Sequence, residues 1–168
     1  MSEPTVNIVG VGNVLMGDDG AGIAAARRLA DAGMPTGVRL HDAGLAVADV
    51  LGGLDPAVPL IVLDALQAGG EPGTVYTARL EDLSAGGRLA GLTSLHELSV
   101  LPALRLEALS GRTFGDVTVF GVEPARIEWG KGLSDPAAAG VERLVEAVTS
   151  HVEQITRDRL AIAGEPLP

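Results

Sequence analysis

Short apolar runs alternate with helical patterns along this chain, as they do in proteins built from strand–helix–strand units. Residues 7–10, 60–65 and 117–122 are almost continuously apolar, which is typical of central strands covered on both faces of a parallel sheet. Residues 38–42 and 73–80 have weaker strand patterns. The sequence therefore predicts five strands, three of them buried on both faces.

Helical patterns fill two of the intervals between these strands. Residues 21–32 are rich in alanine and are followed by Gly33 and Pro35, residue types that end helices. A shorter helix is predicted over residues 46–51, where two glycines stop it. Both helices join neighbouring strands through short links, which favours parallel strands with helices packed on the sheet.

Two capping signals predict the remaining helices. Ser94 and Glu97 have the spacing of a capping box, so a helix should begin immediately after the serine, and Pro102 should kink or split it. Asp135 and Pro136 suit the N-cap and first position of a last helix, beyond which apolar residues recur at helical spacing. The resulting element order, β-α-β-α-β-β-α-β-α, predicts a mostly parallel α/β sheet with helices on both faces.

Length and composition indicate one globular domain over residues 1–168. A chain of 168 residues, 46% of them hydrophobic, suffices for one full core, and no linker, repeat or low-complexity segment divides it. Residues 163–168 should form a frayed tail. No apolar stretch is long enough to span a bilayer and no basic-apolar leader precedes the first strand, so a cytoplasmic protein is expected.

The charge and the missing cysteines exclude several classes of function. A net charge of −10 repels a phosphate backbone and an anionic membrane surface, so neither a nucleic acid nor a membrane is an expected partner. The absence of cysteine removes disulfides, thiolate metal sites and a cysteine nucleophile. The functions that remain are a metal site built from oxygen and nitrogen ligands, or acid–base catalysis.

The turn after the first strand carries acids where a phosphate-binding loop would accept an anion. Gly10 and Gly12 begin a dinucleotide fingerprint, but Leu15 occupies the position of its third glycine. Asp18 and Asp19 follow, at the place where a pyrophosphate would bind, and carboxylates there attract a cation instead. The pattern disfavours a nucleotide site, while a plain sharp turn stays an open interpretation.

Two common hydrolase patterns are also missing. No Gly-x-Ser-x-Gly elbow occurs, so a serine hydrolase of that type is unsupported. His96 and Glu97 begin like a zinc-protease helix, but Val100 stands where the second histidine is required. A hydrolase built on this sequence must therefore use another set of residues.

Four separated side chains suggest a mixed carboxylate and imidazole site. Asp19 follows the first strand, Asp42 closes the second, Asp64 ends the third, and His96 precedes a helix that can return to the same edge. Ligands of such sheets bind beyond the carboxyl ends of the strands. Each residue alone is more often a helix cap, a loop residue or a structural histidine. Asp64 stands out, because an acid inside a buried run needs a partner.

Such a set suits a metal ion without specifying which one. Two carboxylates and a neutral imidazole fit nickel, zinc, iron or manganese, and three protein ligands leave positions for a substrate group or water. No feature of the sequence calls for an organic cofactor.

The ordered motifs of the chain match one family. The first motif spans residues 10–22 and contains the pair of acids. The later motifs are Asp42-Ala43-Gly44, Leu63-Asp64-Ala65, Ser94-Leu95-His96-Glu97, Phe120-Gly121-Val122-Glu123-Pro124 and Gly132-Leu133-Ser134. Together they strongly resemble the hydrogenase maturation endopeptidases over almost the whole chain.

The resemblance implies a fold, an activity and a partner. The fold is a three-layer α/β/α sandwich whose five-stranded sheet has one antiparallel strand, for which our fourth strand is the candidate. The activity is removal of a C-terminal extension from the large-subunit precursor of a nickel–iron hydrogenase after nickel insertion. The family's metal-contacting residues correspond to Asp19, Asp64 and His96, and Asp42 corresponds to a further implicated acid. The enzyme would act as a monomer on this large partner.

We hypothesise that the nickel ion belongs to the precursor and marks it for cleavage. Asp42 or a ligating carboxylate would then serve as general base, or the metal would polarise the peptide carbonyl or activate water. Two other interpretations remain at this point. The chain can be a non-catalytic flavodoxin-like module that binds a nucleotide or metal, or a nickel chaperone that transfers metal without cutting.

Overall fold

A five-stranded sheet runs through the computed structural model, which describes residues 5–81 and 99–163. Its order is β2-β1-β3-β5-β4, and all neighbouring pairs are parallel except β4 with β5. The predicted sheet is confirmed, with the fourth strand as the antiparallel one. The strands are β1 (Val6–Val11), β2 (Val38–Gly44), β3 (Leu60–Ala65), β4 (Val75–Arg79) and β5 (Val117–Val122).

Helices cover both faces of this sheet and complete the predicted three-layer sandwich. The helices of the described residues are α1 (Ala21–Ala32), α2 (Val47–Gly52), α3 (Leu101–Leu109) and α4 (Asp135–Ala163). Helices α1 and α4 pack in the core on one face, and α2 and α3 pack in the core on the other. None of these helices is both long and apolar enough to cross a bilayer.

Close packing of α1 sets the position of the turn that precedes it. A Cβ atom at Gly22, on the first turn of α1, would lie 2.1 Å from the carbonyl oxygen of Leu63 and 2.5 Å from that of Val11. Only glycine allows the helix to approach β1 and β3 this closely. A short 3-10 helix, Gly17–Gly20, leads into α1. The acidic turn therefore lies at the carboxyl ends of β1 and β3.

Two details of the predicted helices need correction or completion. The N-cap of α4 is Ser134 and not Asp135, because the Ser134 hydroxyl accepts the hydrogen bond of the Ala137 N–H (3.3 Å). Pro102 lies in the first turn of α3, where its missing N–H costs no helical hydrogen bond. The predicted start of that helix after Ser94 lies outside the described residues, as does most of the predicted tail.

Candidate functional site

The two adjacent acids after β1 have different environments. Asp18 is fully buried, and its carboxylate accepts four hydrogen bonds from the segment between β5 and α4. The donors are the N–H groups of Ala125 (2.8 Å), Arg126 (3.0 Å) and Ser134 (2.6 Å), and the Ser134 hydroxyl (2.7 Å). Burial alone would raise the pKa of Asp18, but these hydrogen bonds outweigh it and hold the pKa below its usual value. Asp18 is therefore an ionised structural anchor.

Asp19 is partly accessible and lies near the end of β3. Its carboxylate accepts a hydrogen bond from the Asn13 N–H (2.9 Å). Its negative charge also raises the pKa of Asp64, so the two carboxylates are close enough to repel each other. The turn closes tightly on Asp19, because a Cβ at Gly12 would lie 1.9 Å from the Asp19 carbonyl oxygen and the φ angle of Gly12 is +122°.

Asp64 is the buried acid of this pair. One carboxylate oxygen accepts the Ala65 N–H (2.8 Å), and the other accepts the hydroxyl of Ser99. Burial raises the pKa of Asp64 to about 6 and the charge of Asp19 adds to it, while the hydrogen bonds from Ser99 and Ala65 oppose the rise. A carboxyl group that titrates this close to neutrality, beside a second acid, is typical of functional sites.

The sequence patterns do not predict that Ser99 binds Asp64. Ser99 lies just before α3, and its hydroxyl connects this segment to the carboxylate at the end of β3. No motif marks an isolated serine as a partner of a distant acid. The one feature of the sequence that points to Ser99 is its position three residues after the candidate ligand His96.

Asp42 lies on the other face of the sheet from Asp64. Side chains alternate along β2, and Leu40 packs in the core formed with α1 and α4, so Asp42 also points to that side. Its carboxylate accepts hydrogen bonds from the Arg27 Nη2 (2.9 Å) and Nε (3.2 Å) of α1, and both side chains are exposed. The structure thus brings Asp19 and Asp64 together, and it pairs Asp42 with Arg27 instead.

His96, the predicted third ligand, lies outside the described residues. Within residues 5–81 and 99–163, no three acidic or histidine side chains are grouped closely enough to hold a metal ion. The two acids Asp19 and Asp64 therefore need a third ligand from elsewhere. The role of all four predicted site residues stays a prediction.

Glu123 is, like Asp18, a buried acid whose hydrogen bonds join separate parts of the fold. It follows β5, and one of its carboxylate oxygens accepts the N–H groups of Ala68 (2.8 Å) and Gly70 (3.3 Å) and the hydroxyl of Tyr76 (2.8 Å). Burial raises the pKa of Tyr76, and the hydrogen bond to Glu123 raises it further. Glu123 thereby ties the loop after β3 to β4, which fixes the carboxyl edge of the sheet beside Asp64.

Comparison with known proteins gives one consistent result. A family model described as hydrogenase maturation protease matches residues 23–151. The hydrogenase expression/formation protein HupD of Rhodobacter capsulatus is 35% identical over 136 residues. The hydrogenase 2 maturation protease of Escherichia coli is 29% identical over 160 residues, which cover 91% of this chain and 96% of that protein. The hydrogenase maturating endopeptidase HybD from E. coli has a TM-score of 0.72 and 27% identity.

The coverage of these relatives differs. The match to HupD covers 80% of this chain but 64% of that protein, so somewhat more than a third of HupD has no counterpart in the aligned region. The match to the HybD structure covers 89% of this chain and 92% of that chain. The likeness therefore extends over most of this chain and most of the HybD chain.

Proposed function

Because the chain belongs to the hydrogenase maturation protease family, we propose that it is an endopeptidase that processes the large-subunit precursor of a nickel–iron hydrogenase. It would remove a C-terminal extension after nickel has been inserted. The nickel ion is then part of the substrate, and the site at the carboxyl edge of the sheet recognises it through Asp19, Asp64 and His96. The proteins named maturation proteases among the relatives support the proteolytic activity.

The single observation that carries this proposal is the pair of acids Asp19 and Asp64. Two carboxylates that repel each other are costly to keep together, and a bound cation removes that cost. Their oxygens, with one imidazole nitrogen, form a ligand set that suits nickel. Ser99 binds Asp64, and the three chain steps from Ser99 to His96 span at most about 11 Å.

Recognition of nickel would make cleavage conditional on metal insertion. A precursor without nickel lacks the group that the two acids and the histidine bind, so it loses that part of the binding free energy. Each 1.4 kcal/mol, roughly, of lost binding energy lowers the affinity tenfold. A modest coordination energy thus suffices to separate loaded from unloaded precursors.

Hydrolysis of the peptide bond also needs a base that activates water. A carboxyl group with a pKa of about 6 exchanges protons near neutral pH, which makes Asp64 the first candidate. Asp42 is the second, although its ion pair with Arg27 holds it on the α1 side. Nickel bound in the substrate supplies Lewis-acid polarisation of a carbonyl group. The cleavage rate of Asp42→Asn decides between the two acids, because Asp64→Asn also removes a nickel ligand: an unchanged rate assigns the base to Asp64, and lost cleavage assigns it to Asp42.

The proposal is tested by incubating the protein with the nickel-loaded large-subunit precursor of a hydrogenase and measuring the precursor mass. We expect loss of a C-terminal fragment with the wild type and with Asp31→Asn, an exposed acid at the far end of α1 that serves as the matched control. Asp19→Asn and His96→Ala should lose cleavage while their circular dichroism stays unchanged. An intact precursor mass with the wild type would contradict the proposal, and metal transfer without a mass change would indicate a chaperone.

A further inference from the structure

Two loops at the carboxyl edge of the sheet expose large apolar side chains to solvent. The first loop joins β1 to α1, and the second joins β5 to α4. Trp129, the only tryptophan of the chain, is 71% exposed, and Leu15 is 53% exposed. Val14 precedes Leu15, Ile127 lies two residues before Trp129, and both side chains are also exposed. Exposed apolar clusters of this kind mark interaction surfaces more often than chance, and tryptophan is the residue most enriched at binding hot spots. We refer to Val14, Leu15, Ile127 and Trp129 as the apolar rim.

The two loops of the apolar rim are held together by hydrogen bonds. The Gly130 N–H donates to the Leu15 carbonyl (2.9 Å), and the Asp18 N–H donates to the Arg126 carbonyl (3.1 Å). The buried carboxylate of Asp18 accepts four further hydrogen bonds from the second loop. The surface is therefore formed before any partner binds, which lowers the entropy cost of binding.

The apolar rim is continuous with the acid pair. Asn13 donates its N–H to the Asp19 carboxylate (2.9 Å), and the side-chain oxygen of Asn13 accepts the Leu15 N–H (3.0 Å). One residue thus contacts both Asp19 and the first loop of the rim. The hydrogen bond from Gly130 to Leu15 then extends the connection to Trp129. The apolar rim therefore borders Asp19.

We propose that the apolar rim is the docking surface for the precursor polypeptide next to the scissile bond, an inference that rests on the proposed function. The occupant is an extended peptide segment with apolar side chains facing Trp129 and Leu15. Arg126 and Lys131 lie on either side of Trp129 in the exposed loop, with the acid Glu128 between them, and neither cation forms an ion pair with another residue of the described chain. In a chain of net charge −10, these two cations complement carboxylate groups on the same segment.

The test compares cleavage kinetics of rim variants on the nickel-loaded precursor. Trp129→Ala should raise KM about tenfold or more, the size of effect that marks a hot spot, while kcat changes much less. Trp129→Phe should recover most of the loss because it restores an aromatic surface. Leu109→Ala is the matched control: Leu109 is 86% exposed, but it lies at the end of α3 that leads back to the start of β5. Its KM should equal that of the wild type.

The outcomes separate this inference from the proposed function. If the wild type does not cleave the precursor, the proposed function and the docking surface both fail. If the wild type cleaves it and Trp129→Ala has the same KM, only the docking surface is wrong. A wild-type dimer that Trp129→Ala converts to a monomer with unchanged KM would assign the apolar rim to a second copy of this chain, which also overturns the inference.

Discussion

The carboxylate of Asp18 should contribute more to stability than any other acid at the carboxyl edge of the sheet. The perturbation is Asp18→Asn, which keeps the size of the side chain and replaces one oxygen with an amide group. Oδ2 of Asp18 accepts three hydrogen bonds and Oδ1 accepts one, so both oxygens face donors. In either orientation, the asparagine NH2 group meets at least one N–H that it cannot bind.

The size of the effect follows from these contacts. The better orientation keeps the three hydrogen bonds at Oδ2 and loses the one from the Ser134 N–H (2.6 Å). A hydrogen bond to a charged group contributes about 1.5–3 kcal/mol, and a buried unsatisfied donor costs a similar amount. The three remaining bonds also weaken when the charge is removed. We expect the free energy of unfolding to fall by about 3 kcal/mol.

Urea denaturation measured by circular dichroism gives this free energy, with Asp19→Asn as the matched control. Asp19 accepts one hydrogen bond, from Asn13, which an asparagine oxygen can also accept, and loss of its charge relieves the repulsion with Asp64, so the control should lose no stability. The fluorescence of Trp129 reports separately on the loop between β5 and α4, because Asp18 accepts hydrogen bonds from the backbone of that loop. Its anisotropy should fall in Asp18→Asn only.

The pH dependence of stability tests whether the ionised form of Asp18 stabilises the fold. The pKa of Asp18 is lowered in the folded protein, so its stabilisation is complete above the ordinary value of 3.8 and is lost as the pH falls through the lower, folded value. The stability difference between wild type and Asp18→Asn should therefore shrink below about pH 4. A variant as stable as the wild type at pH 7, with unchanged Trp129 anisotropy, would refute the role of Asp18 as an anchor.

Two further predictions concern the residues around Asp64. Because its pKa is raised to about 6, the folded protein favours the protonated acid, and stability is lost as the pH rises from 3.8 through 6. The stability of Asp64→Asn relative to wild type should therefore increase by about 2 kcal/mol between pH 4 and pH 8 in urea titrations, and a constant difference would contradict the raised pKa. Gly22→Ala should destabilise the protein by at least about 2 kcal/mol in the same assay, because its Cβ would meet two backbone carbonyls. Gly115→Ala, with open space around it, is the control; equal stabilities of the two variants would refute the close packing of α1.

The sequence predicts the sheet well because its central strands are marked by composition. Strands covered on both faces must be apolar throughout, so the runs of β3 and β5 are evident, and the one acid in β3 stands out against them. That contrast is enough to single out Asp64 by its position in the run. The prediction that β4 is antiparallel comes only from the family resemblance, because alternating polar and apolar residues do not specify the direction of a strand.

The contacts of the site are less predictable because they join distant parts of the chain. The donors to Asp18 are 107 to 116 residues away, and three of the four are backbone N–H groups, which leave no mark in the sequence. The face to which Asp42 points depends on the register of β2 against β1, where Gly10 is its neighbour. Sequence order places the carboxyl ends of the parallel strands at one edge, but it does not assign side chains to the two faces.

The most direct test of the account is the mass of the precursor after incubation with the wild-type protein, with and without nickel in the precursor. Recognition through the two acids and the histidine predicts release of the C-terminal fragment from the nickel-loaded form alone, and loss of that release in Asp64→Asn. Equal cleavage of the nickel-free form, or full activity of Asp64→Asn, would contradict it.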